Sequence, residues 1–264
     1  MAKIVNDTEL IFEESDIKKD GGIKVIEIYM SREDYEKFVS VMDSITKIVL
    51  PDNVTKIDEG TFFGYSSLKS IDIPDGVTEI GNGAFQDCYS LESIVIPDSV
   101  TKIENKAFGN CKSLKSVNIP DSVTEIGDWA FEDCQSLESV DISDGVTKIG
   151  DGAFWHCKSL KSVHIPDSVT KIGLVAFADC TSIHYKGQDI TSLIKKYDIK
   201  HFDVIKSLYD NDLPLTDGMF DKAMEAKKED RLRGFLVKTK KRLSEREVPG
   251  IDYSDSDDLN LERS

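Results

Sequence analysis

Apolar and polar positions follow one another along this chain in a fixed rhythm. From Ile45 to Ser182 the pattern returns every 23 residues. Leu68, Leu91, Leu114, Leu137 and Leu160 mark one position of the unit. Phe62, Phe85, Phe108, Phe131, Phe154 and Phe177 mark another. The six units are 45–67, 68–90, 91–113, 114–136, 137–159 and 160–182. A seventh opens at Ile183 and breaks off, because IHYKGQDI has neither the proline turn nor the V-T-x-I-G segment. One unit holds too few apolar side chains for a core of its own. It must stack on copies of itself, which predicts a solenoid. In Leu68–Ser90 the spacing of Leu68, Ile71 and Ile73 predicts a strand, with Asp72 outward between two inward isoleucines. Pro74-Asp75-Gly76 turns the chain. Val77 and Ile80 point back in from a predicted second short strand. Ala84-Phe85 predicts a tight helical or 3₁₀ turn, with the phenylalanine as the largest core wedge. Neighbouring coils should lie about 5 Å apart, the spacing of hydrogen-bonded strands.

The repeated unit reads L-x-S-I-x-I-P-D-x-V-T-x-I-G-x-x-A-F-x-x-C-x-S. It resembles the BspA-type leucine-rich repeat of bacteria and anaerobic protists over residues 45–182, about half of the chain. The resemblance implies a right-handed leucine-rich-repeat solenoid and a protein-binding role. Many proteins of that type are exported adhesins. The expected fold is therefore a β-rich repeat solenoid with one or two short strands and a short helical turn per unit. A small α+β cap precedes it and an α-helical region follows.

Both ends of a solenoid expose core and need covering. Residues 1–44 read as the N-terminal cap. Thr8–Glu14 and Ile23–Met30 read as strands joined through Gly21-Gly22. A helix opens at Ser31 with Asp34 and runs to about Met42. Its Tyr35, Phe38, Val39 and Met42 have helical spacing. The solenoid with its partial seventh unit spans 45–188. In the helical region, 189–243, Ile190–Tyr197, Phe202–Tyr209, Met219–Ala226 and Leu232–Leu243 read as helices, with a weak similarity to ankyrin-like helix pairs. Residues 244–264 are polar and acidic, and disorder is expected there.

Charge narrows the classes of partner. The 264 residues carry a formal net charge of −16, which disfavours nucleic acid and anionic membranes as partners of the whole protein. No apolar run reaches the ~18 residues of a membrane helix. The opening MAKIVNDTELIFEESD lacks the apolar stretch of a secretory signal, so a cytoplasmic location and no membrane association are expected. The solenoid has no arginine and a net charge of −10, whereas residues 222–246 carry +6 and residues 247–264 carry −5. The basic stretch includes Arg231, Arg233, Lys238, Lys240, Lys241 and Arg242. It reads either as a solvated helix neutralised within the molecule or as a contact for nucleic acid or an acidic partner.

A solenoid turns each repeated position into a row. Cys88, Cys111, Cys134, Cys157 and Cys180 form one row and are all the cysteines in the chain. Their constant spacing lacks the close pairs of zinc sites, and they read as small apolar residues packed at a turn. Asp52, Asp75, Asp98, Asp121, Asp144 and Asp167 read as turn residues accepting from nearby backbone N–H groups. The threonines from Thr55 to Thr170 read as surface packing. Two lysine–glutamate rows alternate in sign: Lys69, Glu92, Lys115, Glu138, Lys161, and Lys56, Glu79, Lys102, Glu125, Lys148, Lys171. Cross-strand ion pairs that fix register are expected, the second row ending in two lysines.

Positions that vary inside a repeated unit are free of packing constraint. One outward strand column runs Val49, Asp72, Val95, Asn118, Asp141, His164. A second, after the core phenylalanine, runs Phe63, Gln86, Gly109, Glu132, Trp155, Ala178. A third, before Ala-Phe, holds Lys106, Trp129 and Val175 among glycines. These columns either serve recognition or vary because nothing holds them. Both tryptophans fall in them on adjacent units, and tryptophan is a favoured interface anchor. The candidate partner-binding residues are therefore Trp129, Trp155, Asp72, Val95, Asn118, Asp141 and His164. No catalytic, metal or cofactor motif is present: His156, His164, His184 and His201 form no H-x-x-x-H or H-E-x-x-H, and no nucleophile elbow or phosphate loop occurs. The reading is a monomeric, non-enzymatic scaffold for a protein partner. A surface adhesin and a nucleic-acid-associated protein are its alternatives.

Overall fold

The structure is a computed structural model that describes residues 3–5, 8–14, 18, 20–22, 41–197, 202–228 and 231–244. The expected strand Ile23–Met30, most of the following helix with Tyr35, Phe38 and Val39, and the tail from 245 onward lie outside the described residues. The chain divides into two compact units, Met1–Thr191 and Ser192–Ser264.

The first unit is a solenoid of about six coils. Ile45, Leu68, Leu114, Leu137 and Leu160 lead into strands: β3 (Lys47–Val49), β5 (Ser70–Asp72), β8 (Ser116–Ile119), β10 (Ser139–Ile142) and β12 (Ser162–Ile165). The V-T-x-I segments form a second row: β4 (Lys56–Ile57), β6 (Glu79–Ile80), β7 (Lys102–Ile103), β9 (Glu125–Ile126), β11 (Lys148–Ile149) and β13 (Lys171–Ile172). This second row is one continuous parallel sheet. The leucine row is interrupted at the third coil. Leu91, Ile94 and Ile96 there are buried as expected, yet the segment joins neither neighbour as a ladder strand.

Alternation sets the inside and outside of every strand. In β8, β10 and β12 the valine and isoleucine are buried and the serine and the residue between are exposed. The phenylalanines fill the axis. From Phe62 to Phe177 consecutive rings stack with centroids 5.1–5.4 Å apart. All six are fully buried or nearly so. That separation permits the offset stacking that aromatic quadrupoles favour.

The expected helical turn at Ala-Phe is a pair of hydrogen-bonded turns instead. Phe85 N donates to Ala107 O on the next coil, and Ala84 N to Gly81 O within its own. The coil therefore spends its amides on its neighbour, and no helix can propagate.

The N-terminal cap holds one strand that the hydrophobic pattern did not indicate. β1 (Lys3–Val5) pairs antiparallel with β2 (Glu9–Ile11), and β2 pairs parallel with β3. Phe12 then meets Phe62 edge-on at 6.2 Å, closing the end of the ring stack. The broken seventh unit still contributes β14 (Ile183–Tyr185), parallel to β12. The chain then reverses at Lys186-Gly187 into β15 (Gln188–Asp189). That hairpin ends the parallel stacking.

Helix α1 (Thr191–Tyr197) begins at the unit boundary. In the second unit follow α2 (Phe202–Asp210), α3 (Asp217–Lys228) and α4 (Leu232–Ser244). Thr216 starts α3: its carbonyl accepts from Phe220 N and its hydroxyl lies 3.4 Å from Met219 N, a side-chain N-cap. Phe202, Val204, Ile205 and Leu208 of α2 and Met219, Phe220 and Ala223 of α3 are buried. Lys227–Asp203 and Lys240–Asp212 ion pairs tie α3 to α2 and α4 to the α2–α3 turn.

Three of the expected rows differ in detail. The carboxylates of Asp75, Asp98, Asp121 and Asp144 are exposed and accept no backbone N–H among the described residues. At Asp98 and Asp121 the following serine makes a backbone bond of its own, Ser99 Oγ donating to Val77 O and Ser122 Oγ to Val100 O. The threonine row is a hydrogen-bonded ladder and not passive packing. Thr78 donates to Thr55 O, Thr101 to Thr78 O, and Thr147 to Thr124 O. In the lysine–glutamate rows, Lys115–Glu92, Lys161–Glu138 and Lys148–Glu125 close as expected. Lys102 turns to Glu104 within its own coil, and Lys56 to Asp58 and Asp20, because those carboxylates lie closer than the cross-strand glutamate.

Candidate functional site

The turn around each buried phenylalanine is framed by two residues with left-handed backbone. The first column is Gly60, Gly83, Lys106, Trp129, Gly152 and Val175, with φ from +49° to +61°. The second is Gly64, Asp87, Asn110, Asp133, His156 and Asp179, with φ from +53° to +76°. The second column uses residue types that tolerate this region. In the first, three coils place Lys, Trp or Val where glycine alone is unstrained, at about 1–2 kcal/mol each.

Trp129 is held in this conformation by the coil after it. Its N–H donates to Asp151 O at 2.7 Å. A ladder of Asx side chains locks the residue before it. Asn105 Oδ1 accepts from Asp128 N, Asp128 Oδ1 from Asp151 N, and Asp151 Oδ1 from Leu174 N, at 2.7–2.9 Å. The Trp129 ring lies over Gly152, where an added Cβ would come within 2.2 Å of ring carbon Cε3. Glycine at 152 is thus required twice, by its φ of +58° and by the indole above it.

Trp155, in the neighbouring column, meets Trp129 edge-to-face with centroids 5.7 Å apart and planes at 89°. Its other neighbour is His156, stacked at 3.4 Å, whose Nε2 lies 3.3 Å from Asp179 Oδ2. Both tryptophans are half-buried. On the next coil Leu174 and Val175 are 43% and 44% exposed, so the apolar surface continues beyond the indoles. Carboxylates surround it: Asp128, Glu132, Asp133, Asp151 and Asp179. Burial raises the Glu132 carboxyl above its ordinary range, with Lys106 pulling it back and Asp133 and Asp87 adding to the rise.

The strand column occupies a different face of the solenoid. Asp72, Val95, Asn118, Asp141 and His164 are all exposed, Val95 to 77%, on the interrupted third coil. Ladder register sets Asp141 beside Asn118 and His164 beside His184. His184 belongs to this column although its unit lacks the repeat signature. Its Nδ1 lies 3.3–3.4 Å from the hydroxyls of Ser162 and Ser182. The available signal was Ile183-His184-Tyr185 continuing the strand alternation. The structure thus gathers Trp129 and Trp155 into one cluster and leaves the strand column apart from it.

The cysteine row lies inside the turn face. All five are buried. The thiols of Cys88, Cys111, Cys134 and Cys157 donate to the carbonyls of Phe62, Phe85, Phe108 and Phe131 at 3.2–3.3 Å. Burial pushes these thiols up, Cys88 to about 12. In the first coil Tyr65 holds the equivalent position, and burial pushes its phenol to about 12.

The basic stretch 222–246 takes in the end of α3 and α4, with Arg231 just before α4 and Arg233, Lys238, Lys240 and Lys241 on it, all exposed, around buried Leu236 and Thr239. Lys240 is paired with Asp212. Among the described residues no group of three or more His, Cys, Asp or Glu could hold a metal ion. No helix among them is long and apolar enough to cross a membrane.

Comparison with known proteins agrees with this geometry. No curated protein matches the chain. Among solved structures, a leucine-rich cell surface protein of Faecalibacterium prausnitzii is similar with a TM-score of 0.50 and 38% identity. The match covers 55% of this chain and 40% of that one, so less than half of that protein's length is represented here. A leucine-rich repeat protein of T. pallidum is similar with a TM-score of 0.52 and 34% identity, over 62% of this chain and 71% of that one. The family model for the BspA-type leucine-rich repeat region matches residues 34–102 and 78–209 in six copies. With its 23-residue coils, buried phenylalanine stack and paired sheets, the chain belongs to the BspA-type leucine-rich repeat family.

Proposed function

We propose that this protein is a non-enzymatic scaffold that binds a protein partner through the rigid side of its solenoid. The observation that carries this reading is the Trp129–Trp155 pair. Two half-exposed indoles meet edge-to-face on adjacent coils, one of them on a backbone position that disfavours any side chain. Strain of this kind persists where the surroundings over-determine it, and it clusters at functional positions. A cluster of part-exposed apolar side chains, Trp129, Trp155, Leu174 and Val175, on an acidic molecule supports an interaction site. The strand column Asp72, Val95, Asn118, Asp141, His164 is the second contact candidate. We take the protein to act as a monomer in the cytoplasm, without a cofactor and without nucleic acid.

The test is affinity capture from a native lysate with the parent chain and a Trp129→Gly/Trp155→Ala variant. Glycine is chosen at 129 because it fits φ +58° without strain. The variant keeps its circular dichroism spectrum and loses the main captured protein. Unchanged capture moves the site to the strand column.

A second reading is a surface-displayed binding protein. The likeness to the F. prausnitzii cell surface protein favours it. Labelling of intact cells with a membrane-impermeant reagent separates the two, since a cytoplasmic scaffold stays unlabelled until lysis.

A further inference from the structure

Resting on that protein-binding reading, we infer that the tryptophan cluster recognises a cationic segment of its partner, an arginine- or lysine-bearing peptide whose charged side chain stacks on an indole. Charge complementarity is the first argument. Asp128, Glu132, Asp133, Asp151 and Asp179 stand around Trp129 and Trp155, against Lys106, Lys112 and Lys158 on the flank. Several of these carboxylates already have one partner. Asp128 and Asp151 each accept from a backbone N–H, and Asp133 from Gln135, with Lys112 3.9 Å away. A neutral apolar partner would bury this rim uncompensated, whereas a basic one neutralises it.

The second argument is how the fold treats another surface aromatic. Lys112 Nζ sits 4.9 Å over the ring of the exposed Tyr89. Indole is the better acceptor of a cation. Among the described residues no lysine or arginine lies over either indole, and the solenoid has no arginine at all. The one ionisable ring beside them is His156, stacked on Trp155 and tied to Asp179. A planar guanidinium from outside would repeat that arrangement, with the ring face for its plane and a carboxylate for its N–H groups.

The experiment is a fluorescence and calorimetric titration of the full chain with an arginine-rich peptide of about ten residues, compared with an acidic peptide of equal length. The basic peptide changes tryptophan emission and binds with steep salt dependence, and the acidic peptide does neither. Trp129→Gly/Trp155→Ala weakens binding at least about tenfold, the order expected for losing desolvated cation–π contacts. Glu132→Gln/Asp133→Asn keeps both indoles, weakens binding and flattens the salt dependence. Asp98→Asn/Asp121→Asn removes equal charge from the Pro-Asp turns, outside both candidate surfaces, and leaves affinity within about twofold.

If the Asp98→Asn/Asp121→Asn variant weakens binding as much as Glu132→Gln/Asp133→Asn, the attraction is to net charge and the inference falls. It falls equally if the tryptophan variant binds the peptide like the parent. Should that variant unfold, the carboxylate pairs decide alone. If the parent chain ignores the basic peptide while the tryptophan variant loses a neutral or acidic captured protein, the scaffold reading stands and the cationic partner does not. Concentration-dependent self-association that the tryptophan substitutions abolish would name a second copy as the occupant and overturn the inference.

Discussion

Val175 carries a β-branched side chain at φ +49°, half out of the protein and under no indole. Glycine is the native residue at the equivalent points of the first, second and fifth coils. Val175→Gly removes about 1–2 kcal/mol of backbone strain and restores about 0.4–1 kcal/mol of unfolded-chain entropy. A small net stabilisation is expected in urea midpoints, and a loss above about 1 kcal/mol would show that the valine packs. The buried thiols act through pH. Folded Cys88, Cys111, Cys134 and Cys157 hold their protons well above the ordinary thiol range of ~8.5. Above that range the unfolded chain binds fewer protons than the folded one. Stability is therefore full below pH ~8.5 and falls as pH rises toward about 12, the value for Cys88. Each thiol contributes a slope of up to about 1.4 kcal/mol per pH unit. Urea midpoints at pH 8 and pH 10 measure it, and Cys134→Ala should reduce the drop. Equal midpoints at the two pH values would mean the thiols ionise in the folded state.

At the scale of the element, the phenylalanine stack matters more than the ion-pair rows. Phe108 lies between Phe85 and Phe131, with centroids 5.3 and 5.1 Å away. Phe108→Ala leaves a cavity on the axis and costs about 3–5 kcal/mol. A fall below about 1 kcal/mol in denaturant midpoints would remove it from the core. The Lys161–Glu138 pair is exposed on both sides, and a double-mutant cycle should return less than about 1 kcal/mol. Strand alternation and the phenylalanine position were legible because burial repeats them in every coil. The conformation of the turn was not. A-F with glycine nearby is compatible with a helical turn, and only the coil-to-coil bonds from Phe85 N to Ala107 O and its equivalents exclude one. The second left-handed column could have been read from its Gly, Asp, Asn and His content. The first could not, since Lys, Trp and Val point away from φ > 0.

For the whole solenoid, each coil is stabilised by its neighbours, so cooperativity runs along one dimension. Amide hydrogens of the inner coils, in β8, β9 and β10, should exchange slowest and those of β1 and β15 fastest. Exchange rates uniform from end to end would imply a single global unit. The two caps also differ in legibility. Phe12 meets Phe62 at the first coil, and β1 adds an edge that three residues of sequence cannot announce. At the other end β14 was foreseeable as a failing seventh unit, but its reversal into β15 depends on Lys186-Gly187 adopting positive φ in succession.

The 23-residue period by itself determined the solenoid, the number of coils, the inward and outward positions and the burial of every cysteine, because these follow from which side chains water excludes. It also marked both tryptophans as variable. That they touch, that Gly152 makes room for one of them, and that His184 joins His164 were decided by tertiary structure. Contacts between coils join residues 19 to 26 positions apart through turn geometry and backbone hydrogen bonds, and no local pattern of polarity carries that information.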